Sequence, residues 1–100
     1  MDHPLAYARF ATLEGMHFEA ESEAGKCSLK LHEVMRNDRS PNGYECFTLL
    51  FQGPPEPKIT QALVRLQHGD DRPFDLFLVP VAGDEEGFDY EAVINRKLDQ

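Results

Sequence analysis

Over most of the chain apolar and polar positions alternate, the period-two pattern of strands with one buried face. From His17 to Glu21 the apolar residues Phe18 and Ala20 are set between His17, Glu19 and Glu21, and from Cys27 to Leu31 the residues Cys27, Leu29 and Leu31 are set between Ser28 and Lys30. The intervening stretch, Ser22 to Lys26, holds Gly25 and supplies a turn, so a hairpin is expected. Val34 falls out of phase with Leu29 and Leu31, which predicts a bulge near His32 and Glu33 or the end of the strand. Ahead of these strands the period changes. Leu5, Ala6, Phe10 and Leu13 fall near helical spacing, Pro4 suits a first turn and Gly15 can stop the helix, so one helix is expected over about residues 4–13.

Arg36 to Tyr44 is polar and carries Pro41 before Asn42-Gly43, a strong turn signal. A long apolar strand follows and breaks off into Gly53-Pro54-Pro55-Glu56-Pro57-Lys58, where prolines stiffen a corner and stop the ladder. Ala62 to His68 then places Val64 and Leu66 inward, and two acidic turns lead into Phe74 to Val81 and Phe88 to Asn95. Six strands, over about residues 17–21, 27–34, 44–52, 62–68, 74–81 and 88–95, predict a single all-β domain spanning residues 1–100. Its architecture is a six-stranded antiparallel sandwich or partly closed small barrel with one short N-terminal helix.

Two strands are apolar on both faces. The first carries Phe47, Leu49 and Phe51 on one face and Cys46, Thr48 and Leu50 on the other; the second carries Leu76 and Leu78 on one and Phe77, Val79 and Val81 on the other. A strand with one wet face alternates cleanly, so both need cover on each side. The helix can cover one patch, and what it leaves bare is an apolar surface of the kind that marks an interface.

A chain of 100 residues can bury one core without metal or disulfide staples. No apolar run approaches the roughly 20 residues needed to span a bilayer. The N-terminal stretch has neither a basic leader nor an apolar segment of signal-peptide length, so a cytoplasmic chain is expected, with Cys27 and Cys46 as free, buried thiols. The net charge of −8, with the basic residues scattered, argues against nucleic acid and anionic membranes and favours solubility or a basic protein surface.

Motif by motif, catalytic chemistry is not written here. Pro54-Pro55-Glu56-Pro57 is formally a P-x-x-P, but it joins two strands rather than lying in a basic-flanked tail, so it is read as a corner. His3, His17, His32 and His68 show no metal-ligand spacing, and the acidic turns lack the alternating ligands of a calcium loop. None of Ser22, Ser28 and Ser40 sits in a nucleophile elbow, and the glycines stand singly, so there is no phosphate loop. Glu45 and Glu91 could meet across neighbouring strands as an acid and base pair, though surface charge is the simpler reading. No catalytic residue, metal site or cofactor is expected.

Five ordered motifs carry a resemblance: Leu13 to Phe18, Leu29 to Val34, Phe47 to Pro54, Leu76 to Val81 and Tyr90 to Asn95. Together they resemble a family of short bacterial proteins known as domain of unknown function 6916, and the likeness covers nearly the whole chain. The resemblance implies at most a structural or assembly role, since members are sometimes encoded beside tail-collar proteins of phage-like particles, and it brings no catalytic residue. Ala62-Leu63-Val64 departs from the family's glycine and tyrosine pattern, and Ile94 stands for a common phenylalanine, which leaves the inward-facing residues of the strand from Ala62 open.

The expected function is therefore a non-enzymatic structural or protein-interaction domain, acting through a protein partner or self-association, with Leu50, Phe77 and Val79 as the contact patch. The alternative is a binding module for a small apolar ligand, held in a cavity lined by Phe18, Phe47, Leu49, Phe51 and Leu66. An enzyme ranks third, and would need His17 or His68 to meet a carboxylate in a concave site.

Overall fold

The alternating residues build a wall and an interior. In the computed structural model, which describes residues 6–36, 43–56, 58–60 and 62–97, one helix, α1 (Tyr7–Thr12), is followed by six strands: β1 (His17–Ser22), β2 (Gly25–Arg36), β3 (Tyr44–Gly53), β4 (Ala62–Gln67), β5 (Phe74–Asp84) and β6 (Gly87–Lys97). Every neighbouring pair is antiparallel, and the order around the closed barrel is β1-β2-β3-β6-β5-β4, with β4 returning to β1. Of the two architectures expected, the barrel is the one formed.

The expected hairpin is present, with Ser22 opposite Gly25, and the bulge falls between Leu31 and Glu33. A second register shift, between Pro80 and Ala82, was not foreseen. It lets β5 run on to Asp84, where the Asp84 carboxylate accepts the N–H groups of Glu86 and Gly87 at 2.8 and 3.3 Å and tightens a two-residue turn into β6. The turn expected between Arg36 and Tyr44 falls largely on residues 37–42, and Pro4 and Leu5 of the expected helix also lie outside the described residues.

Inside the barrel, Phe18, Ala20, Leu29, Leu31, Phe47, Leu49, Phe51, Val64, Leu66, Leu76, Leu78, Tyr90, Ala92 and Ile94 form one cluster. The departure at Ala62-Leu63-Val64 leaves the strand's phase intact, for Val64 and Leu66 point inward as their spacing predicts. Both open ends are stoppered. At one, α1 lays Phe10 against Phe47 and Phe74, with ring centroids 5.9 and 5.6 Å away. The helix has no side-chain cap of its own; its Tyr7 N–H donates instead to the Glu45 carboxylate of β3 at 2.9 Å. Glu45 also accepts from Arg96 of β6 at 3.0 Å, so one carboxylate ties the helix to two strands.

At the other end the proline corner folds back. Ile59 is buried, and its N–H donates to the Tyr90 hydroxyl at 2.9 Å, which satisfies a backbone group that the ladder cannot reach. Burial of that isoleucine is worth about 1.5–3 kcal/mol. Burial also pushes the Tyr90 phenol above its usual range, against the opposing pull of the Ile59 N–H. The corner thus turns the chain and closes the barrel with its own side chain.

Candidate functional site

The helix caps the barrel end, and on the outer wall Phe77 and Val81 stay half exposed. Leu50, Phe77 and Val79 all project from the outer wall. The register unites two of them in one row: Leu50 on β3 stands opposite Glu91 on β6, and Glu91 opposite Val79 on β5. Phe77 lies one step along, opposite Leu63 of β4. Phe77 and Leu63 are 50% and 63% exposed, and Leu50 and Val79 are half-buried.

Two members of this wall were missed. Leu63 departs from the family pattern, yet the alternation of Val64 and Leu66 already puts it outside. Val93, 61% exposed, is placed outside by the same logic, between inward Ala92 and Ile94. The signal was present in both cases. What the sequence withheld was the strand order, without which β3, β4, β5 and β6 could not be known to share a wall.

The wall is also incompletely zipped. β5 pairs with β6 only over Val79 to Asp84; its first half, Phe74 to Leu78, pairs with β4, while the end of β6, from Ala92 to Lys97, pairs with β3. Between these two segments no ladder is formed among the described residues. The interior side chains on either side of this seam, Leu76 and Ile94, are 6% and 7% exposed, against 0–2% for the rest of the interior cluster. Rim charges flank it: Arg65 reaches Asp75 at 3.5 Å, and Glu91 in the centre has no ion-pair partner among the described residues.

Of the other candidate groups, His17 lines a surface cleft that also holds Asp84, Glu86 and Asp89, while Glu45, Glu91 and His68 stay apart from it and from one another. Glu45 and Glu91 sit on neighbouring strands, but Glu45 stands opposite Arg96 at the barrel end and Glu91 projects outward, so they share no site. Burial raises the Glu45 carboxyl, but the Tyr7 N–H, the Arg96 guanidinium and the charge of Arg36 together outweigh it and hold the group below its ordinary value. This is a structural ion pair. His68 turns Nδ1 to the His17 carbonyl at 3.0 Å and rests its ring against Phe18. Cys46 is buried and Cys27 half-buried, both as free thiols, and burial pushes the Cys27 thiol up, away from the reactive thiolate. Among the described residues no three His, Cys, Asp or Glu side chains cluster as metal ligands, and no helix is long and apolar enough to cross a membrane.

The residues expected to line a ligand cavity fill the interior themselves: Phe18, Phe47, Leu49, Phe51 and Leu66 are all buried in one cluster, with Phe18 edge-on to Phe51 at 5.8 Å. Fold and surface together define a small, side-chain-filled β-barrel with an apolar outer wall. Comparison with family profiles matches residues 5–94 to the domain of unknown function DUF6916, and the chain belongs to that family. No curated protein matches it, and no solved structure does.

Proposed function

We propose that this chain is a non-enzymatic interaction domain of the bacterial cytoplasm, whose β3–β6–β5–β4 wall docks on a partner protein carrying an apolar ridge beside an arginine or lysine. The observation that supports this most is the wall itself: Leu63, Phe77 and Val93 stand exposed around a partly zipped seam, with Glu91 unpaired among the described residues at its centre. Apolar area supplies the drive to associate. Glu91 sets what can approach, because burying it against a neutral surface strands a charge at a cost of about 3–5 kcal/mol, whereas a basic group would pair it. The net charge of −8 works in the same direction and opposes a second copy of the same chain. An assembly role in phage-tail-like particles, which the family resemblance suggests, would use the same surface.

Crosslinking capture in the source bacterium, with the wild type, the double variant Phe77→Ser/Val93→Ser and Glu91→Lys run in parallel, tests the proposal. The expected result is a protein recovered by the wild type, less at higher salt, and lost with both variants. Recovery indifferent to both variants would overturn it, as would light scattering that finds a stable homodimer abolished by Phe77→Ser/Val93→Ser.

A further inference from the structure

A second feature of the surface is independent of the apolar wall. Across four strands the register aligns His17 with Lys30, Lys30 with Gln52, and Gln52 with Asp89, all on the outer face. This row lines a cleft of about 750 Å³ whose far side is the β5–β6 hairpin, with Gly83, Asp84, Glu86, Gly87 and Phe88. Glycine lets that hairpin sit close: a Cβ on Gly87 would strike the Gly53 carbonyl oxygen, and one on Gly83 would strike the Phe88 ring. Gly87 thus packs closely on the Gly53 backbone at the wall of the cleft.

Its charges are sorted. Lys30 and His17 stand at one side, Asp89 and Glu86 at the other, and Gln52 between them carries both a donor and an acceptor. Among the described residues neither Lys30, Asp89 nor Glu86 forms an ion pair. Lys30 and Asp89 are two strands apart, about 10 Å at the backbone. A peptide of two or three residues spans about 7–10 Å between its ends.

We propose that this cleft binds a short free peptide of two or three residues, with its carboxylate at Lys30, its ammonium group at Asp89 and its amide against Gln52. A single amino acid covers about one strand spacing, short of the two that separate Lys30 from Asp89 at the backbone. A protein segment lacks the free ends. The pocket volume lies in the range of sites that take small ligands, and its polar lining suits a zwitterion better than an apolar molecule.

The test is an amide NMR titration with trialanine, its N-acetyl form and its C-terminal amide. Trialanine is expected to shift the amides of Ser28, Lys30, Gln52, Gly83 and Asp89, and blocking either end is expected to weaken binding at least about tenfold. Lys30→Gln is expected to erase the distinction between acid and amide while keeping that between amine and acetyl, and Asp89→Asn the reverse. Both side chains face outward, and each variant's own spectrum reports its fold. Absence of shifts at millimolar trialanine, or equal shifts with all three peptides, would overturn the proposal.

Discussion

In β3 the side chains on both faces are covered: Phe47, Leu49 and Phe51 are buried in the barrel, Cys46 is buried on the outside, and Thr48 and Leu50 there are half-buried. In β5, whose sequence is just as apolar, Leu76 and Leu78 are buried inside, while on the outside Val79 is half-buried and Phe77 and Val81 are half exposed. The difference lies in the neighbours. β3 is paired with β6 from Tyr44 to Gly53 and flanked by β2 from Phe47 to Gln52, so its outward Thr48 and Leu50 have neighbours on both flanks. β5 changes partner midway, β4 for its first half and β6 for its second, and among the described residues each half is paired on one flank only. Two apolar faces in a sequence therefore say that a strand is unusual, and only its pairing says whether the second face is shielded or offered to a partner.

The comparison breaks most easily from the inside. Phe47 touches Tyr7 and Phe10 of the helix as well as the interior, so Phe47→Ala is expected to cost about 3–5 kcal/mol in urea unfolding. A loss below about 1 kcal/mol would show that the end of the barrel does not depend on the α1 stopper.

Next in size is the carboxylate that ties α1 to β3 and β6. Glu45→Gln is expected to cost about 1.5–3 kcal/mol at neutral pH, the worth of hydrogen bonds to a charged group. Because the folded carboxyl is held below its ordinary value, this stabilisation is fully present above the unfolded value and is lost as the pH falls through the folded one. Wild type and variant should thus converge in acid, which thermal melts across the acid range would measure. A gap that persists at the lowest pH would assign the effect to packing instead.

Much of this was legible beforehand, and the limits have physical causes. A period of two, read locally, fixes each side chain's face, which is why spacing alone places Val64 and Leu66 inward and offers, at His32 and Glu33, either the bulge that forms or the end of the strand. Strand order depends on contacts between residues far apart in the chain, so the pairing of β3 with β6, and the wall it creates, left no local trace. The stopper role of Ile59 was hidden for a similar reason. Its burial depends on Tyr90, thirty-one positions further along, and on a proline corner that reads as a turn and nothing more. Sequence alone leaves Glu45 a choice between surface charge and a pairing with Glu91; register gives it Arg96 instead.

The smallest expected effect sharpens the comparison most. Leu50→Ala on β3 and Phe77→Ala on β5 both shorten an outward apolar side chain, and the phenylalanine loses more atoms. If size governed, Phe77→Ala would be the costlier. Exposure predicts the opposite order: about 1 kcal/mol for half-buried Leu50, and a change within about 0.5 kcal/mol for Phe77, which leaves half its surface in water already. Paired urea titrations would resolve that difference. A Phe77 variant that melts like the wild type would leave its exposure without a role in the fold of the isolated chain. A Phe77 variant that loses 2 kcal/mol or so, the cost of uncovering a buried group, would mean that the outer wall is already closed and has nothing to offer a partner.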